Sequence, residues 1–444
     1  MTEPVPPPTS TTNAAVPIED RLGLVMGGGG ARAAYQVGML QAVARRYPDL
    51  EFPIITGVSA GAINAVHLAA HPGTFPEAVD DLARLWSELT VDQVFRVEPR
   101  TLIVNAFRWG LQLASGGMVG APQIRSLMDA SPLRTFLGRK LDAPHGPIPG
   151  IEEKIAAGRL HALAISTSSY STGQSVTWIQ ASPEVEEWER PQRQSRRTRM
   201  TLEHILASSS IPLFFPAVEI EDQWFGDGGI RLSAPLSPAL HLGATRLLAI
   251  STRFDRTTTE ASRPVIEGYP PPAQVIGQLL NAVFLDLVDQ DAWRVERLNR
   301  LLRQIAPEDR APHRIVDIMT LRPSVDLGML ANEFELDLPR AFRFLVRGLG
   351  TREARSQDLL SFLLFEPDYL RRLIDVGRRD AESRMGEIEA IVTPDSARPP
   401  PPAEPEGRRP RMPHERPRRP TGRPAGGTSE NGGGLAHETK TFDI

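Results

Sequence analysis

Four short, nearly unbroken apolar runs constrain this chain most: Leu22 to Met26, Ile54 to Thr56, Leu163 to Ser166 and Leu247 to Ser251. A strand with one wet face alternates polar and apolar residues, whereas an unbroken run is buried on both faces. Strands of that kind belong to a mostly parallel sheet, and the helix-length amphipathic stretches between them supply its cover. The expected fold class is therefore α/β, with a mostly parallel central sheet flanked by helices. After Pro272 the pattern changes to long helices, broken by one strand-like run from Arg314 to Leu321 and resumed from Leu338 and Pro367. This predicts a core over residues 21–255 and a mainly helical C-terminal extension over 256–392 that packs on it.

The chain has 444 residues, 41% of them hydrophobic and 23% charged, which is enough to bury a sizeable core. Residues 1–20 and the Pro-, Arg- and Gly-rich stretch 393–444 carry too little apolar surface to offset ordering entropy, so a disordered arm and a disordered tail are expected. A formal net charge of −4 gives no broad basic face, and no nucleic-acid partner is expected. The lack of cysteine removes disulfides, thiolate metal sites and a cysteine nucleophile. No apolar run reaches the ~20 residues that span a bilayer, and the first residues lack the basic start and apolar core of a secretory signal. A cytoplasmic or peripheral-membrane protein is expected.

The most informative motif is Gly57-Val58-Ser59-Ala60-Gly61, preceded by the apolar Pro53 to Thr56 and followed by the helical pattern Ala62 to Ala70. Strand, G-x-S-x-G turn and helix together make a nucleophile elbow, in which Gly57 and Gly61 leave room for a strained serine at a helix start. A second glycine-rich turn, Gly27 to Arg32, also joins a strand to a helix and exposes backbone N–H groups. Such a turn serves a nucleotide phosphate or an oxyanion hole. The G-x-G-x-x-G spacing fits only with Ala33 in its last place and the P-loop ending is absent, so an oxyanion hole is the better reading. The third motif, Asp227-Gly228-Gly229, reads on its own as a hairpin turn.

Taken together, the three motifs resemble those of the patatin-like phospholipases, whose signatures are G-G-G-x-[RK]-G, G-x-S-x-G and D-G-[GA]. The resemblance runs from Leu22 to about Ser251. Ala207 to Val218 (ASSSIPLFFPAV) resembles the stretch before the family's catalytic acid, and Leu279 to Asn299 and Leu321 to Gly328 resemble features of bacterial members. It implies a three-layer fold, Ser59 as nucleophile, Asp227 as the other member of a Ser-Asp dyad, and Gly28, Gly29, Gly30, Ala31 and Arg32 as the oxyanion loop. It also implies a lipid or acyl-ester substrate. Gly228 and Gly229 complete the acid motif. Ala33 stands where the family usually has glycine, which is harmless inside a helix and disruptive where positive φ is needed. Arg32 is left with two roles, shaping the loop or pairing with a phosphate head group.

A triad would need a histidine after Asp227. Only His241, His313, His414 and His437 follow it, none in a promising context, and His67, His71, His161 and His204 read as structural. No H-E-x-x-H or EF-hand pattern occurs, so no metal and no cofactor are expected. The stretch Val94 to Val119, with Phe95, Leu102, Ile103, Phe107, Trp109, Leu111, Leu113 and Met118, reads either as a lid or interfacial patch or as an ordinary buried helix. The arginines from Arg408 to Arg423 read as a solvated tail or a contact for anionic lipid. The resulting expectation is a serine lipid acyl hydrolase; its alternatives are a transacylase or thioesterase of the same fold and a non-catalytic lipid-binding regulator. No protein partner is legible.

Overall fold

A computed structural model of the chain describes residues 20–96, 114–115, 126–256, 262, 269–337, 343, 347–348 and 358–393. These lie within one unit that runs to Arg398. The N-terminal arm, the C-terminal tail beyond Thr393 and most of Val94 to Val119 lie outside the described residues.

The sheet strands are β1 (Leu22–Met26), β2 (Ile54–Val58), β3 (Ala162–Ser169), β4 (Ser175–Ala181), β5 (Glu189–Arg190), β6 (Arg193–Arg197), β7 (Val218–Ile220), β8 (Gln223–Asp227), β9 (Arg246–Ile250) and β10 (Asp317–Leu321). Their order is β10-β9-β1-β2-β3-β4-β6-β5, with β8 paired to β3 and β7 paired to β8. From β10 through β3 every pairing is parallel. β1, β2, β3 and β9 are buried at every position, as two-sided cover requires. The chain thus has the expected α/β class.

Beyond β3 the sheet turns mixed: β4 runs antiparallel to β3, and β6 runs parallel to β4. β4 reads SVTWIQA, an alternating pattern of a half-wet strand, yet it is buried throughout. Its polar side chains are satisfied inside, where Trp178 Nε1 donates to Thr167 Oγ1 at 2.9 Å and Gln180 Oε1 accepts the N–H of Met200 at 2.9 Å.

The helices that matter for the site are α1 (Ala34–Arg46), α2 (Ala60–Ala70), α3 (Phe75–Ser87), α4 (Leu202–Ser208), α5 (Pro272–Phe284), α6 (Asp286–Leu302), α7 (Asp358–Leu363) and α8 (Pro367–Ser383). α3 opens on a complete capping box, Thr74 accepting the N–H of Glu77 while Glu77 accepts that of Thr74. α8 packs along α1, where a Cβ on Gly38 would meet the Ile374 carbonyl at 1.9 Å and one on Gly377 the Tyr35 carbonyl at 2.1 Å. Residues beyond 256 therefore supply an edge strand as well as helices. Among the described residues no helix is long and apolar enough to cross a membrane.

Candidate active site

The register of four strands brings the motifs together. Met26 pairs with Gly57, Val58 with Ser166, and Thr167 with Asp227. One step past these pairs, the chain leaving β1 places Gly28 beside Ser59, so that a Cβ on Gly28 would stand 3.0 Å from Ser59 Cβ and 3.5 Å from its Oγ. Glycine loop, serine and aspartate thus occupy one row at the C-terminal edge of the parallel strands, the usual binding edge of such sheets.

Ser59 caps α2 with φ 56° and ψ −134°, a strained conformation for a residue with a side chain. The turn holds because Gly57 and Gly61 pack where no side chain fits; a Cβ on Gly61 would sit 2.4 Å from the Met26 carbonyl. Two serines at the end of α4 grip the elbow. Ser208 Oγ accepts the Ser59 N–H at 3.0 Å, and Ser209 Oγ donates to the Ser59 carbonyl at 3.1 Å. Ser59 itself is 2% exposed, so it lies below the surface and not on an open turn.

Asp227 ends β8 and is fully buried. The hairpin reading of Asp227-Gly228 does not hold: the β7–β8 turn is made by Glu221 and Asp222, both at positive φ, and Asp227 instead leads into a 3-10 turn over Gly228–Ile230. Asp227 Oδ1 accepts the Gly229 N–H at 2.9 Å. Oδ2 makes no hydrogen bond among the described residues. Burial pushes the carboxyl up to about 7, opposed by the nearby Ser59 hydroxyl and the Gly229 N–H. An ordinary aspartate is a weak base toward serine; burial removes much of that handicap.

In the glycine loop the carbonyls of Gly27, Gly28 and Gly29 are each held by a protein donor. Gln36 Nε2 donates to Gly27 O at 2.8 Å, Thr252 Oγ1 to Gly28 O at 2.9 Å, and the Arg32 N–H to Gly29 O at 3.2 Å. The N–H groups of Gly28 and Gly29 make no hydrogen bond with a described residue. Gly29 and Gly30 lie at φ 145° and 57°, which suits glycine. Ala33 has φ −64° inside the turn, so its departure from the family pattern strains nothing. Arg32 is not an oxyanion donor, since its N–H is committed to Gly29. Nor is its guanidinium open to a phosphate: it is buried against Asp358 at 2.8 Å and Ser361 at 2.7 Å.

A buried relay ties the loop to α2. Trp86 Nε1 donates to Asn64 Oδ1 at 2.7 Å, Asn64 Nδ2 to Gln36 Oε1 at 2.9 Å, and Gln36 onward to Gly27. Sequence reasoning missed these residues, together with Ser208, Ser209 and Thr252; only the run Ser208-Ser209-Ser210 gave a signal. None of the histidines among the described residues touches the pair. His67 bonds the Ala78 carbonyl, His71 meets Asp81, His161 lies near Glu184, His204 bonds Thr201, and His241 stacks on Trp188.

Ser59 opens onto an apolar pocket lined by Ile63, Leu85, Trp86, Phe136, Phe215 and Phe365 among others. Phe95, read either as part of a lid or patch or as part of a buried helix, is fully buried between Phe215 and Phe365, at centroid distances of 5.8 and 6.2 Å.

Residues 24–240 match the family of patatin-like phospholipases. Among curated proteins none matches the chain. Solved structures similar to it include VipD from Legionella pneumophila, 13% identical with a TM-score of 0.31, where the match covers 80% of this chain and 67% of that one. Human GIVD cytosolic phospholipase A2 in complex with methyl gamma-linolenyl fluorophosphonate is 13% identical with a TM-score of 0.38, covering 84% and 58%. The type III effector ExoU is 14% identical with a TM-score of 0.32, covering 84% and 54%. The chain thus spans between about half and two thirds of the length of these proteins.

Proposed function

Because residues 24–240 form a patatin-like phospholipase domain, which is a lipid hydrolase domain, we propose that the chain is a serine lipid acyl hydrolase that cleaves fatty-acyl esters through a Ser59–Asp227 dyad. The observation that carries this reading is the fully buried Asp227, with one oxygen unpartnered and its pKa pushed up to about 7, one strand row from a strained serine at the base of an apolar pocket.

The acyl chain lies in that pocket, with its carbonyl carbon against Ser59. Ser59 Oγ attacks as its proton passes to Asp227 Oδ2, and the carbonyl oxygen becomes an oxyanion. The free N–H groups of the Gly28 to Gly30 turn receive it, where one lost donor in a comparable site costs about 3 kcal/mol. The tetrahedral species collapses to the acyl-enzyme, and Asp227 returns the proton to the departing alcohol oxygen. Water then attacks the acyl carbon and gives one proton to Asp227, and the second tetrahedral species expels Ser59 Oγ, which takes that proton back from Asp227 as the fatty acid leaves.

The test is covalent labelling by a fluorophosphonate with mass mapping of the modified residue, alongside hydrolysis of phospholipid and short-chain esters. Labelling at Ser59, lost in Ser59→Ala together with turnover, is expected. Turnover that survives Ser59→Ala defeats the proposal.

A further inference from the structure

We infer that Asp358 is a positioning residue of this active site, and that through Arg32 its helix α7 holds the glycine loop in its oxyanion-binding shape. The inference rests on the hydrolase reading above.

A run of glycines has no side chain with which to hold itself, and it loses the most conformational freedom when ordered. The first residue after the run able to grip anything at a distance is Arg32. Its guanidinium, 4% exposed, meets Asp358 Oδ1 at 2.8 Å through Nη2, 326 residues away in sequence. Its Nε donates to Ser361 Oγ at 2.7 Å, and Ser361 in turn donates to the Asp358 carbonyl at 2.7 Å. The same guanidinium lies over the Phe362 ring, 4.7 Å from its centroid. An exposed pair of this kind holds little, but a buried one with its donors satisfied is rigid, and losing one partner leaves a charge stranded.

α7 also touches the loop directly. The Phe362 carbonyl fills the space beside Gly30, where a Cβ would stand 2.2 Å from it. The Phe362 ring is 6.3 Å from that of Phe284, which packs on Gly229 beside the catalytic acid. Phe365, just beyond α7, lines the pocket that Ser59 opens onto. One short helix therefore braces loop, acid motif and pocket together, and it lies well past residue 240, where the family match ends. The matched segment does not hold its own oxyanion loop.

The experiment compares full-length wild type with Asp358→Asn, Asp358→Glu and the double variant Arg32→Met/Asp358→Leu on a soluble short-chain ester. The double variant replaces the ion pair by apolar side chains, a change that buried pairs tolerate, so it is expected to keep a cooperative melt. Its kcat is expected to fall by about tenfold or more with KM nearly unchanged, because a misplaced loop weakens only the transition state. Inhibition by a trifluoromethyl ketone, whose serine adduct carries an oxyanion, is expected to weaken in parallel. Asp358→Glu, which restores the charge, is expected to retain more kcat than Asp358→Asn.

A folded double variant with wild-type kcat, or ketone affinity that does not follow kcat, overturns the assignment of Asp358 alone. If the double variant loses its cooperative melt, equal kcat in the Asn and Glu variants overturns it. Wild type that hydrolyses no ester and escapes labelling at Ser59 overturns the hydrolase reading and this inference with it.

Discussion

The hydroxyl of Ser208 accepts the backbone N–H of Ser59 at 3.0 Å and donates its own proton to the carbonyl of Ser166 at 2.7 Å. One side chain thus satisfies two buried backbone groups and ties the strained elbow to β3. Ser208→Ala strands both groups, and a loss of about 1–3 kcal/mol is expected in urea unfolding, with lower kcat. Unfolding indistinguishable from wild type would show that the elbow needs no such tie.

Strain at Ser59 predicts a trade of stability against function. Ser59→Ala and Ser59→Gly should both be inactive, but only glycine relaxes the conformation at φ 56° and ψ −134°. The glycine variant should be the more stable of the two by about 1 kcal/mol, read as the difference in unfolding free energy. Equal stabilities would mean that the elbow stores nothing.

The pH dependence follows from Asp227. Its ionised form accepts the proton, so kcat/KM should fall below about pH 7, well above the acid limb of an ordinary aspartate. Because burial raises the native pKa above the unfolded value near 3.8, the native state holds the proton more tightly, and wild-type stability declines as pH rises from about 4 to about 7. Asp227→Asn, neutral throughout, should exceed wild type in stability at pH 8 by on the order of 2 to 4 kcal/mol, with the gap closing toward pH 4. A gap independent of pH refutes the raised pKa.

A limb near pH 7 also lies close to an ordinary imidazole, so its position alone does not identify the group. Burial takes His67 and His204 down to about 4 and lowers His241. His→Gln at each of these positions should leave the limb in place and kcat/KM near wild type. Disappearance of the limb in any one folded variant would replace the dyad with a triad.

Ile63 lies one turn into α2 on the wall of the pocket. Ile63→Trp should fill part of that space, cutting kcat/KM for long-chain esters by about tenfold relative to butyrate, at a stability cost of about 1–3 kcal/mol. An unchanged chain-length profile would place the acyl chain elsewhere.

What the sequence disclosed was local. β1, β2 and β9 announced themselves as unbroken apolar runs, and each of the three glycine motifs is a single contiguous segment, so the residues proposed for the chemistry could be read one segment at a time. The supports were not legible, because they are common residue types that meet only in three dimensions. Nothing in the spacing of Asn64 and Trp86 says that they pass a hydrogen bond to Gln36. Arg32 carried two readings until Asp358 took one of them away. The mixed half of the sheet was hidden for a different reason: β4 buries an alternating strand by satisfying its polar residues internally.

The placement of the reactive pair on hydrogen-bonded strands has a mechanical consequence. Ser59 leaves β2 and Asp227 ends β8, and both strands are bonded to β3 at successive positions, Val58 opposite Ser166 and Asp227 opposite Thr167, so one strand holds the two groups side by side without a hinge between them. Such a frame does not loosen by degrees. On heating, the catalytic rate should climb until the sheet itself melts and then vanish with it, leaving no interval in which an intact protein has gone slack at its working end.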